Sequence, residues 1–203
     1  GDHAEPVRYE VDRVRNGRSF VTRTVTARQA VGVILSMSAS FQVDEEAPEV
    51  QAAELPDGAP PSELERESWS PMFERATVPT SDLEGRARGW LRVRADLGDD
   101  PVANACALAY MSDDYPTDSG VALHPDRPDH ETSEGEGPFV AFSLDHAIWF
   151  HRALRAEDWH LIAMVSHGLI SSRGLAIGHV FTEAGVHVAT VSQEVLLRRR
   201  RPG

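Results

Sequence analysis

The sequence predicts an α+β protein dominated by antiparallel strands, and three observations carry that expectation. Apolar and polar residues alternate over 9–14 and again over 20–25, on either side of Asn16-Gly17, a strong hairpin turn. One clear helix start stands at Asp100-Pro101, where an aspartate can cap the first free N–H groups and proline fits the first helical position. Strand-like runs then fill most of the chain from 139 to 197.

In chain order, residues 33–43 continue the opening hairpin as a third strand. From 44 to 80 the composition changes, with prolines at 48, 56, 60, 61, 71 and 79, many acids and few aliphatics; this reads as a linker, with a short helical turn near 63–67. Residues 86–97 return to a strand pattern, and the helix opened by Asp100 runs to about Asp113. Residues 115–138, rich in Pro, Asp, Glu and Gly, read as a loop. Strands follow over 139–151, 161–166, 175–182 and 186–197, the last two joined by a turn at Glu183-Ala184-Gly185. Ser40-Phe41-Gln42 near the end of the third strand is echoed by Val191-Ser192-Gln193 on the last, a faint internal repeat.

Composition removes several chemistries. The chain has 203 residues, and its 20 basic residues are all arginine, so a lysine Schiff base, the usual pyridoxal enzyme and a P-loop are excluded. Cys106 is the single cysteine, which rules out an intramolecular disulfide and a Cys-rich zinc site and suits a reducing compartment such as the cytoplasm. A formal charge of −12 disfavours general nucleic-acid binding. The charge is uneven: residues 44–67 hold nine acids and one arginine, while 8–28 hold six arginines and two acids, and 198–201 are four consecutive arginines. No stretch is long and apolar enough to span a bilayer, and no secretory signal opens the sequence.

Three polar residues stand where the pattern asks for apolar ones. Val102, Cys106 and Ala109 form a stripe at helical spacing whose next member is Asp113, while Asp114 lies about 100° off it. On the last strand, His187, Ala189, Val191, Gln193, Val195 and Leu197 share a face, and Gln193 is a carboxamide in a largely aliphatic row. Ser143 lies between Phe142 and Leu144 in an apolar run. Frayed-end, satisfied-core and sheet-bonded readings account for each of them singly. Together, a carboxylate, a hydroxyl and an amide form a set that can hold and deprotonate water. A covalent route has less support, because there is no Gly-x-Ser-x-Gly elbow and Cys106 has no evident partner. His146 and His151 are five apart on a strand and so face opposite sides, which argues against a metal site.

Several strings resemble the acyl-CoA thioesterase II family. They are Tyr9-Glu10-Val11, Arg13-Val14-Arg15-Asn16-Gly17-Arg18-Ser19-Phe20, Ser38-Ala39-Ser40-Phe41-Gln42, Leu108-Ala109-Tyr110-Met111-Ser112-Asp113, Ser172-Arg173-Gly174-Leu175-Ala176 and Val191-Ser192-Gln193-Glu194. The most specific is Ser143-Leu144-Asp145-His146-Ala147-Ile148-Trp149-Phe150-His151-Arg152. The resemblance implies a double hotdog, each repeat a long helix wrapped by an antiparallel sheet, with residues 1–43 a partial first repeat, 44–80 the acidic linker and 81–203 the second repeat. Carried over residue by residue, it implies a catalytic set of Asp113, Ser143 and Gln193, with serine where threonine also occurs. It also implies a helix and a Gly-Gly-Gln segment before the residues matched by Gly1-Asp2, so the first repeat here is expected to expose apolar surface over 31–43 and to favour homo-oligomers.

The activity so implied is hydrolysis of fatty acyl-CoA to a free fatty acid and CoA by activated water, without cofactor or metal. Arg13, Arg15, Arg18 and Arg198 to Arg201 are candidates to meet the CoA phosphates, though solvated arginines on edge strands fit equally well. Two alternatives remain: a hotdog enoyl-CoA hydratase or dehydratase, which typically works with a histidine and an acid at the helix start, and a non-catalytic acyl-CoA-binding hotdog.

Overall fold

The computed structural model describes residues 1–67, 70–79, 85–127 and 137–200, and the chain divides into two compact units, Gly1–Val50 and Gln51–Gly203. The first unit is a three-stranded antiparallel meander of β1 (Arg8–Asn16), β2 (Phe20–Gln29) and β3 (Gly32–Gln42). The Asn16-Gly17 turn closes as its sequence requires, with the Gly17 N–H donating to the Phe20 carbonyl at 2.9 Å. Register gives the sheet two unlike faces. Thr22, Thr24 and Thr26 stand opposite Ser40, Ser38 and Ser36, a ladder of hydroxyls. On the other face Tyr9 and Val11 meet Ala27 and Val25, which in turn meet Leu35 and Met37, with Val21 opposite Phe41. Val31, Val33, Leu35, Met37, Phe41 and Val43 are exposed, as the partial repeat leads one to expect.

The second unit adds β4 (Phe73–Thr77), β5 (Arg86–Val93), helices α1 (Pro101–Met111) and α2 (Pro116–Leu123), and strands β6 (Phe139–Ser143), β7 (Ala147–Phe150), β8 (His160–Ile170), β9 (Arg173–Thr182) and β10 (His187–Arg199). The sheet order is β4-β5-β8-β9-β10-β6, all antiparallel, with β7 also paired to β10. Period-2 alternation sorts its residues onto two cores. Leu91, Ile162, Met164, Val180 and Val191 pack with Leu108, Met111 and Tyr115 from the helices. Trp90, Leu161 and Ala163 turn to the opposite face and pack with Ala76, Val78 and Trp159. Burying each such aliphatic side chain stabilises by about 1.5–3 kcal/mol. Gly120 lets α2 lie close on the sheet, because a Cβ there would stand 3.1 Å from the methyls of Leu197 and Val195.

Three expectations are corrected. Residues 44–80, read as a solvated linker, carry a 3₁₀ turn (Pro61–Glu63) and β4, and Leu55 and Leu64 pack on the second core. Backbone carbonyls of the same stretch bind the sheet: Trp90 Nε1 donates to Ala59 at 3.0 Å and Arg88 to Asp57 at 2.8 Å. Residues 115–138, read as a loop, contain α2; residues 128–136 of that stretch lie outside the described residues. The buried stripe of α1 is Asn104, Leu108 and Met111, not Val102, Cys106 and Ala109, of which Val102 and Cys106 are exposed. A buried asparagine is tolerated because every polar end is met. Its Nδ2 donates to Gly98 and Asp100 carbonyls at 3.0 and 2.9 Å, and its Oδ1 accepts from the Ala156 N–H at 2.7 Å.

Four histidines of this unit have lowered pKa values. His160 is fully buried, its Nδ1 against the Asp158 carbonyl at 2.8 Å and its Nε2 without a hydrogen-bond partner among the described residues. His151, His179 and His187 gather at Thr190, His151 Nε2 lying 2.8 Å from its hydroxyl. Burial is the first cause that pushes each below the ordinary histidine value of 6.5; the neighbouring Arg152 adds to it at His151 and His187. With the folded value below the unfolded one, the unfolded chain binds more protons in the window between them, so stability present above about pH 6.5 is lost as pH falls. The melting temperature is expected to drop by roughly 3–8 °C between pH 7 and 5.5. That range lies above the one in which the depressed carboxyls of Glu10 and Glu74, with an ordinary value of 4.5, begin to titrate. A melting temperature flat over it would show that these imidazoles take up protons without disturbing the fold.

Candidate active site

The Asp100 carboxylate starts α1, accepting from the N–H groups of Val102 and Ala103 at 2.9 and 3.2 Å. The helix stops at Ser112, whose N–H still reaches the Leu108 carbonyl at 2.9 Å. Asp113 follows just past this end and is exposed. The neighbouring Asp114 is the buried one, its side chain 6% exposed and 3.3 Å from the Arg75 guanidinium of β4. Of the two readings of Asp113, the frayed helix end holds and the buried stripe does not: the polypeptide leaves helical geometry one residue too early for the 3.6-residue period to apply.

Ser143 ends β6 opposite Val195 of β10, so it shares a face with Val195 and, two residues along, with Gln193. Gln193 is fully buried, as its place in the aliphatic row predicts. His187 drops out of that row because a register shift separates it from Ala189. The three residues marked out in the sequence are joined directly. The Ser143 hydroxyl lies 2.8 Å from Asp113 Oδ1, and Gln193 Nε2 donates to Ser143 Oγ at 2.8 Å. A serine has one proton. With its oxygen accepting from Gln193, that proton goes to the carboxylate, and the chain has one direction.

Sequence reasoning missed two further members. His146 Nδ1 lies 2.5 Å from Gln193 Oε1, and His146 Nε2 lies 2.8 Å from the Ser112 hydroxyl. Strict alternation along a single strand over 139–151 puts His146 on the face opposite Ser143. The segment is instead two strands separated by a bulge. Ser143 pairs with Val195 but Ala147 pairs with Ser192, four steps on one side against three on the other. Asp145 stabilises the break by accepting the Glu194 N–H at 2.7 Å, and Leu144 donates to the Glu194 carbonyl at 2.8 Å. The extra residue returns His146 to the inner face. His146 and His151 end in separate clusters, and among the described residues no group of three or more His, Cys, Asp or Glu is placed to hold a metal ion.

Among the described residues, Ser143 alone donates to the Asp113 carboxylate, and Asp113 is exposed, so Asp113 has capacity left to accept from water. The candidate CoA-binding arginines Arg13, Arg15, Arg18 and Arg198 to Arg200 are exposed; Arg199 pairs with Asp126 at 2.9 Å, and Arg201 lies outside the described residues. No helix among the described residues is long and apolar enough to cross a membrane.

Known proteins resemble the chain over nearly its whole length. The acyl-CoA thioesterase N-terminal domain matches residues 2–42, and the acyl-CoA thioesterase C-terminal domain matches residues 44–197. Acyl-CoA thioesterase 2 of Haemophilus influenzae is 30% identical over 98% of this chain and 76% of its own length. The solved acyl-CoA thioesterase II TesB2 from Mycobacterium marinum is 37% identical, with a TM-score of 0.84 over 98% of this chain and 77% of that one. A hotdog-fold protein from Alicyclobacillus acidocaldarius shares the fold at a TM-score of 0.71 and 18% identity, over 95% of this chain and 73% of its own. With both domains matched in order and a curated relative at this identity over three quarters of its length, the chain belongs to the acyl-CoA thioesterase II family of double hotdog proteins.

Proposed function

We propose that the protein hydrolyses fatty acyl-CoA to a free fatty acid and CoA, with Asp113 as the general base. The observation that carries this reading is the directed chain Gln193 to Ser143 to Asp113, drawn from three segments far apart in sequence. Ser143 engages Oδ1 of the carboxylate and leaves Oδ2 to take a proton from water as that water attacks the thioester carbonyl. Oxygen–carbon bond formation gives a tetrahedral oxyanion; its collapse expels the CoA thiolate, and the proton held by Asp113 returns to solvent or to the thiolate. Gln193 is fully buried, so it works through Ser143 and not on the water itself.

Release of free thiol from decanoyl-CoA or palmitoyl-CoA, followed colorimetrically on the purified full chain, tests the proposal. Binding of both esters with no thiol release favours a non-catalytic hotdog, whereas hydration of crotonyl-CoA without thiol release favours a hydratase. The position of Asp113 past the end of α1, and not at its start, speaks against the latter. Self-association belongs to the same proposal, supported by the exposed apolar residues of β1 and β3; a monomeric mass in sedimentation would remove it.

A further inference from the structure

We propose that His146 is a positioning residue that fixes the orientation of the Gln193 carboxamide and thereby delivers the Ser143 proton to Asp113. This rests on the hydrolytic reading above. The two ends of a carboxamide are alike in shape and opposite in hydrogen-bonding sense. Gln193 sits between Val191 and Val195 on β10, and aliphatic neighbours have no preference between its oxygen and its nitrogen. Turned over, its oxygen would face Ser143, and the single serine proton would be drawn to the amide and away from Asp113.

His146 breaks that symmetry. Gln193 Oε1 can only accept, so Nδ1 of His146 donates to it, and the amide N–H is left to face Ser143. The far side of the imidazole is anchored at Nε2, which lies 2.8 Å from the hydroxyl of the buried Ser112. Ser112 directly precedes Asp113. The side chains of Asp113, Ser143, Gln193, His146 and Ser112 therefore form a hydrogen-bonded ring closed by one peptide link, and His146 ties the strand bearing the amide to the turn bearing the carboxylate.

Two substitutions separate positioning from mere packing. In His146→Asn the side-chain amide nitrogen can occupy the place of Nδ1 and keep the bond to Gln193; in His146→Gln it reaches the place of Nε2, keeping Ser112 and losing Gln193. Thiol release by H146Q is expected to show a kcat about 10- to 100-fold below wild type with KM within about twofold, and H146N to recover to within about threefold of wild type. Equal losses in both variants, or none in either, would overturn the proposal. Ser112→Ala, which retains the His146–Gln193 bond, guards against a folding defect at position 146 and is expected to cost less than H146Q. A second measurement does not depend on turnover: the Gln193 side-chain NH₂ resonances should hold their positions and slow exchange in H146N and shift in H146Q. Resonances unchanged in H146Q sink the inference, while a wild-type chain that releases no thiol sinks the hydrolytic reading alone.

Discussion

Asp113→Asn is expected to lower kcat for thiol release by about 10²–10⁴-fold while leaving the melting temperature within roughly 2 °C of wild type. The substitution keeps the number of heavy atoms in the side chain. An asparagine oxygen can still accept from the Ser143 hydroxyl, so the contact made in the structure at 2.8 Å has a replacement, but the amide cannot take a proton from water. Asp113 is exposed beyond the helix end and outside both hydrophobic cores, so its charge contributes little to folding. KM should move by less than threefold, because the loss falls on the proton transfer and not on binding of the ester. Thiol release measured over a range of acyl-CoA concentrations, beside a thermal melt of the same preparation, checks all three numbers. Full turnover in D113N removes Asp113 as base.

Gln193 was legible as a carboxamide in an aliphatic row, whereas Asp113 was picked out by a stripe that is not the buried face of α1; what joined them with Ser143 was the chemical sense of a carboxylate, a hydroxyl and an amide as a set, together with the family resemblance. The start of α1 was legible because Asp100-Pro101 is a local signal with a local cause. What stayed hidden depends on partners distant in the chain. The buried side of α1 could not be read from its period, because alanines surround the helix and the residue that marks the inner face, Asn104, is polar and satisfied by Ala156, 52 positions away. β4 is five residues, two of them charged, in a proline-rich acidic stretch, and it becomes a strand only by pairing with β5. α2 opens on Pro116-Thr117-Asp118-Ser119-Gly120, a loop-like composition, and is helical because Gly120 admits it to the sheet. His146 was lost to a single bulge, since one inserted residue exchanges the two faces of a strand.

The second large effect follows from the aspartate that the sequence did not single out. Arg75 and Asp114 have side chains 15% and 6% exposed and approach to 3.3 Å; the guanidinium also donates to Thr77 Oγ1 at 3.1 Å and lies 5.2 Å from the centre of the Tyr115 ring. Arg75→Met is expected to cost about 3–5 kcal/mol, a fall in melting temperature of roughly 6–20 °C, because it removes the guanidinium that faces a buried carboxylate. Arg75→Met with Asp114→Asn should regain more than half of that loss, since the second change takes away the buried charge that had faced the guanidinium. If the double variant were no more stable than R75M alone, the cost would lie in lost packing over Tyr115 and not in the buried charge. The same pair bears on chemistry. Asp113 lies between Ser112, tied to His146, and Asp114, tied to Arg75, so its position is fixed from both sides by groups that never reach the water. R75M assayed well below its melting temperature should therefore lose kcat, about 10-fold on the scale of a misplaced catalytic group. An R75M protein that is folded, destabilised and fully active would mean that the turn holds Asp113 in place through Ser112 alone.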